Sequence, residues 1–138
     1  MSTRSRHRVL LVREWDQQTT GASCCGRLDG GGELGGAADF APARADMEAM
    51  GAVYRRLTEA LPSAVDVQIV DPRNITWLVP ALARDAWRAH RRVAGVMRTL
   101  HRGTGRGAIV VDGRVVSSGP VPDATTALGL VRAAMTAA

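Results

Sequence analysis

The dipeptide Asp112-Gly113 stands between two short apolar runs, Ala108-Ile109-Val110-Val111 and Val115-Val116. Asp-Gly supplies the positive φ angles of a two-residue turn, so the flanking runs are expected to fold back as an antiparallel hairpin. Gly119-Pro120-Val121-Pro122 then ends it. Val9-Leu10-Leu11-Val12 is a continuous apolar run, the mark of a strand buried on both faces. Val65, Val67, Ile69 and Val70 supply another strand, broken at Asp71-Pro72. The pattern therefore predicts strands near 8–13, 65–71, 108–112 and 114–118.

Helical spacing fills the intervals. Pro42, with Asp39 as cap and Asp46 and Glu48 near the positive end of the dipole, opens a helix that runs to about Leu61. Its inward stripe would be Met47, Met50, Val53, Tyr54, Leu57 and Leu61. A second helical stretch runs from about Ile75 to Leu100, with Leu78, Leu82, Ala86, Val93, Met97 and Leu100 on one side and Pro80 as a separator or kink. Asp123 caps a final helix carrying Ala127, Leu128, Leu130, Val131 and Met135. A strand, crossover helix and strand favour a parallel unit, to which the hairpin and last helix can be added. The expected class is α/β, a four-stranded mixed sheet with helices on both faces.

With 138 residues, 46% of them hydrophobic, the chain suits a single domain over 9–138, preceded by a flexible basic arm at 1–8. The same composition excludes a disordered tail. The longest apolar runs are four residues, too short for a membrane span or a signal-peptide core. Cys24 and Cys25 are neighbours and cannot staple distant parts of a fold, which excludes a disulfide scaffold and suits a cytoplasmic chain. All 18 basic residues are Arg, a bias that fits a GC-rich bacterial genome. From about Trp15 to Phe40 no element is evident. Gly21, Gly26, Gly30, Gly31, Gly32, Gly35 and Gly36 crowd this loop, and the cysteine pair lies inside it.

The order of elements resembles the thioredoxin fold without its extra N-terminal strand, over about residues 8–137. That resemblance implies thiol or redox chemistry in the loop after the first core strand, where Cys24 and Cys25 fall. The pair stands in place of the family's Cys-x-x-Cys. No Pro lies between Ala81 and Gly119, where the family places a cis-proline facing its cysteines, and Gly103 to Gly107 occupies that loop. The chain is also similar to ArsD-type arsenic metallochaperones, which carry a vicinal Cys pair after the first strand. The phrase from Val110 to Pro122 is similar to that family's strand, Asp-Gly, strand, Gly-x-Tyr-Pro pattern, with Val121 replacing the Tyr and Arg114 an acidic residue. Gly26-Arg27-Leu28-Asp29-Gly30 holds no third Cys, so a metalloid would need thiolates from two chains.

The cysteine pair is the sharpest chemical feature. The thiolate is the reactive form, and Arg27, two residues on, would favour it. Adjacent Cα atoms lie about 3.8 Å apart, below the usual span of a disulfide, so a Cys24–Cys25 bond would be strained and easily reduced. That suits a switch. Two uses remain open: an oxidoreductase in which one Cys attacks and its neighbour resolves, with Cys24, Cys25 and Arg27 as the working residues, or a carrier of a soft ion such as Cu(I) or As(III) held by Cys24 and Cys25. The pair is expected at a rim, open to solvent or at a homodimer contact, with Trp15 and Phe40 as anchors. A packing role for one Cys is the alternative.

A rival class is a non-catalytic binding module. Arg84, Arg88, Arg91 and Arg92 fall at i, i+4, i+7 and i+8 of the long helical stretch, one stripe extended by Arg98 and Arg102, and could grip an acidic partner. Residues 73–138 carry ten Arg against three acids, whereas 14–72 carry four Arg against ten acids, so internal neutralisation competes with that use. The few aromatics do not alternate with Arg, which argues against nucleic acid. His7, His90 and His101 show no zinc-ligand spacing with the cysteines.

Overall fold

The computed structural model describes residues 7–13 and 41–137. They form β1 (His7–Val12), α1 (Ala41–Ala60), β2 (Val65–Val70), α2 (Ile75–His90), α3 (Val93–Gly103), β3 (Ile109–Val111), β4 (Arg114–Ser117) and α4 (Ala124–Thr136). The strands make one mixed sheet in the order β2-β1-β3-β4. β1 runs parallel to β2 and antiparallel to β3, and β3 antiparallel to β4.

Alternation along the central strands divides the core in two. Val9 and Leu11 of β1, with Ile109 and Val111 of β3, face Met50, Val53 and Leu57 of α1 and Ala127, Leu128 and Val131 of α4. Leu10 and Val12, with Val110, face Leu78 and Leu82 of α2. Both faces of β1 are thus covered from Val9 to Val12, which is why that stretch is apolar without a break. Met47 and Tyr54 sit at the edge of the α1 stripe, half-buried, and Leu130 of α4 is exposed.

The hairpin turn is the one the sequence predicts. Asp112 and Gly113 both have positive φ, 48° and 80°, as a tight hairpin of this hand requires. The turn also packs. A Cβ on Gly113 would lie 2.2 Å from the Asp85 carbonyl carbon, so only glycine lets it reach α2. The Thr99 hydroxyl of α3 donates to the Gly113 carbonyl at 3.0 Å.

The single helical stretch from Ile75 to Leu100 is corrected to two helices. Arg91 takes the left-handed conformation, φ 51°, and its N–H bonds the Trp87 carbonyl, ending α2. Arg92 is extended and begins α3. Pro80 lies inside α2. The corner resets the helical phase, so Val93 and Met97, expected to face the core, are 68% and 59% exposed. Thr99 and Gly103 point inward in their place, with Leu100 half-buried. Gly95 lets α3 close on the corner, since a Cβ there would meet that of His90 at 2.6 Å.

Two outcomes follow for stability. Gly113→Ala combines a strained φ with a backbone clash and should cost about 3 kcal/mol in urea unfolding. Gly119→Ala has φ 90° but open space around it, and should cost about 1 kcal/mol. Equal losses would contradict the docked turn. Asp123 caps α4, accepting the backbone N–H groups of Thr125 and Thr126. The Thr126 hydroxyl first, and then these N–H groups, hold its carboxyl below the usual 3.8. A depressed folded-state value stabilises above the unfolded pKa and is lost as pH falls through the folded one. Asp123→Ala should therefore melt below the wild type at pH 7, with the gap closing as pH drops below 3.8.

Candidate functional site

β1 has two ends of different character. At its carboxyl end the Arg13 N–H bonds the Val70 carbonyl of β2 at 3.0 Å, and the Gly107 N–H bonds the Val12 carbonyl at 2.9 Å. The Arg13 guanidinium donates to the Met47 carbonyl of α1 at 3.3 Å. Beyond β2, Arg73 makes a two-pronged pair with Asp71, at 2.9 and 2.5 Å, and Asn74 leads into α2. These residues stand where the carboxyl ends of parallel strands open, the side on which sheets of this kind bind ligands.

The segment that holds the cysteines is attached to the described fold at this end of β1. It leaves β1 at Arg13 and rejoins the fold at α1. Cys24, Cys25 and Arg27 themselves, with Trp15, Asp39 and Phe40 and residues 1–6 of the expected 1–8 arm, lie outside the described residues, while His7 and Arg8, expected in that arm, belong instead to β1, where Asp112 and Asp85 hold them. What is described is the frame at both ends of their segment.

The amino end holds a charged network that sequence reasoning missed. Asp112 accepts the Arg8 N–H at 2.8 Å and pairs with the His7 ring Nδ1 at 2.7 Å. The Arg8 guanidinium reaches Asp85 at 3.2 Å and Asp66 at 3.8 Å. Arg84 flanks Asp85 at 3.4 Å. Asp85 is buried, and a buried carboxylate needs such partners. The partners come from β1, β2, α2 and the hairpin turn, with Arg8 and Asp112 104 positions apart, so no spacing rule could have joined them. Asp85 and Asp66 are engaged by the Arg8 guanidinium and Asp112 by the Arg8 N–H and the His7 ring, so the network ties β1, β2, α2 and the hairpin turn together as a clasp.

Of the four arginines predicted as one helix stripe, the structure keeps only Arg84 and Arg88 on α2. Arg91 and Arg92 form the corner itself, so the stripe is corrected to a cluster around the α2–α3 junction. Between Arg84 and Arg106 the chain has seven Arg and one acid, Asp85, which the network already holds. Among the described residues no carboxylate pairs with Arg88, Arg91, Arg92 or Arg98. Trp87, 53% exposed, and the exposed Val93 and Met97 lie among them in the sequence. The corner is basic and apolar together, which helical periodicity across a continuous helix could not foresee.

Among the described residues no three His, Cys, Asp or Glu side chains gather in metal-holding geometry. No described helix is long and apolar enough to cross a membrane. No family model, curated protein or solved structure matches this chain.

The network's role as a clasp has a direct check. Asp85→Ala should lower unfolding stability by about 1 kcal/mol, a modest figure because Arg8 is part-exposed and keeps Asp66. It should leave the alkylation rate of Cys24 and Cys25 unchanged. A changed rate with unchanged stability would instead tie the network to the thiols.

Proposed function

We propose that this protein acts through the Cys24–Cys25 pair, as a thiol-based redox or soft-ion-responsive protein on a thioredoxin-like scaffold. The observation that carries the reading is the path of the chain. The segment with both cysteines leaves the carboxyl end of the doubly buried central strand β1 and returns at α1. The order β2-β1-β3-β4 with one parallel and two antiparallel pairings resembles the thioredoxin core, and this is the position of its thiol site. Gly107, φ 77°, stands beside Val12 where that fold has a cis-proline, and the described residues hold no cis bond.

In the redox form, one thiolate attacks a substrate disulfide and expels a substrate thiolate. The neighbouring thiolate then attacks the mixed disulfide, closing Cys24–Cys25 and releasing the second substrate thiol. Two electrons pass to the substrate. Arg27 favours the thiolate at neutral pH. In the carrier form, the two thiolates bind Cu(I) or As(III), with a third ligand from a second chain. Both forms fit a reducing, cytoplasmic setting.

A second reading has an observation of its own: Arg88, Arg91, Arg92 and Arg98, with which no carboxylate among the described residues pairs, beside the exposed Trp87, Val93 and Met97. These make a contact surface for an acidic partner carrying an apolar anchor. Under it the chain is a binding module, and Arg88→Glu with Arg92→Glu abolishes partner capture while thiol chemistry persists.

Thiol counting before and after mild oxidation, with mass spectrometry of the peptide holding Cys24 and Cys25, tests the first reading. The expected result is two reactive thiols in the folded chain and a loss of both on oxidation. Cys24→Ser should leave a mixed disulfide that its neighbour can no longer resolve, or none if Cys24 is the attacking thiol. Two thiols unreactive until the chain unfolds would end the reading in both forms.

A further inference from the structure

We propose that β2 is the seam of a homodimer, its open edge pairing antiparallel with β2 of a second copy about a two-fold axis at Val67. The sheet order leaves β2 and β4 as its edges. They are built differently. β4 spans four residues, and its register with β3 slips between Ile109 and Val110; a short, irregular strand is a blunted edge. β2 runs six residues, Val-Asp-Val-Gln-Ile-Val, in unbroken register with β1. It contains no Pro, Lys or Arg to repel another strand. No described strand takes its outer side.

The backbone directions fit a second strand. The Val70 carbonyl bonds the Arg13 N–H, so Val70 faces β1, and by alternation so do Gln68 and Asp66. Val67 and Ile69 therefore aim both N–H and C=O outward. Val65 offers its carbonyl, its N–H being held by the Pro62 carbonyl at 2.9 Å. Two copies centred on Val67 exchange two hydrogen bonds there, and Ile69 N–H to Val65 carbonyl adds one at each end.

The side chains select this register. Pairing must set odd positions against odd and even against even, or every side chain would change face. With Val67 on the axis, Val65 meets Ile69 of the second copy and Asp66 meets Gln68 of the second copy. β-branched residues oppose each other on one face. On the other, amide opposes carboxylate, the pairing that Gln68 and Asp66 already make within one chain at 2.6 Å. The two Asp66 carboxylates stay apart. Moving the axis to Gln68 would set Asp66 against Val70 and lose the amide–carboxylate pairing across the seam. Clefts of about 430 Å³, lined by Leu57, Leu61 and Val65, and about 360 Å³, lined by Val70, Asn74 and Trp77, lie beside the strand. They leave room for the second copy.

Sedimentation equilibrium of the full, reduced chain at about 100 µM is expected to give twice the mass of one chain. Val67→Pro deletes an outward N–H and leaves the β1 ladder intact, so it should give a single-chain mass. Gln68→Asp puts like charges opposite each other twice and should weaken the dimer about tenfold, and Gln68→Lys should tighten it by a similar factor. Circular dichroism checks that each variant is folded. In a Cys24→Ser, Cys25→Ser background, mixing Asp66→Cys with Gln68→Cys chains should give a disulfide-linked heterodimer, because such opposed positions lie about 4.5 Å apart; neither variant alone should link. A wild type sedimenting as one chain, its edge filled from its own residues 14–40 or by another protein's extended peptide, overturns the proposal. So does a dimer indifferent to both Gln68 variants. The sedimentation variants keep both cysteines, so dimer and thiol chemistry fail or stand separately.

Discussion

The fold turns on the contact between the Asp112-Gly113 turn and the elements around it. Asp112 holds the start of β1 through the Arg8 N–H and the His7 ring. Gly113 brings the turn against the Asp85 backbone, and Thr99 bonds its carbonyl. One tight turn therefore joins β1, the hairpin, α2 and α3. Because β1 is buried on both faces, fixing its amino end also fixes where its carboxyl end delivers the chain. The cysteine segment begins at that delivery point.

Charge is distributed to match. Asp66, Asp85 and Asp112 cluster at the amino end of the strands and hold Arg8 and His7, while Asp71 holds Arg73 at the other. Of the ten acids in residues 14–72, Asp66 and Asp71 are thus held by arginines. At the α2–α3 corner no carboxylate among the described residues pairs with Arg88, Arg91, Arg92 or Arg98, and Trp87 and Met97 are exposed. Burial of Thr99 and Gly103 in place of Val93 and Met97 follows from one residue, Arg91, adopting φ 51°. A small backbone event decides which face of α3 is sticky.

Much of the fold was legible because its signals are local. Val9 to Val12 reads as a doubly buried strand from four letters, Asp112-Gly113 reads as a turn from two, and Asp123 reads as a cap from its place before a helical period. The α2–α3 corner was not legible, because no Gly or Pro stands at Arg91-Arg92 and the apolar spacing runs through it unbroken. Tertiary packing, with Gly95 seated on His90, sets that break. The clasp at Arg8 was illegible for another reason: its carboxylates are contributed by strands and turns far apart in sequence. As for the candidate site, the sequence supplied the cysteines and the fold supplies the strand end from which their segment departs.

The most direct measurement of the thiol account is the equilibrium of the native chain with a graded glutathione redox buffer, read by the mass of the peptide holding Cys24 and Cys25. The account predicts a reversible two-electron couple between these neighbours, with a potential above about −300 mV, the range of labile bonds more than of structural ones. A chain whose thiols stay reduced and unmodified across the whole range while folded would contradict it.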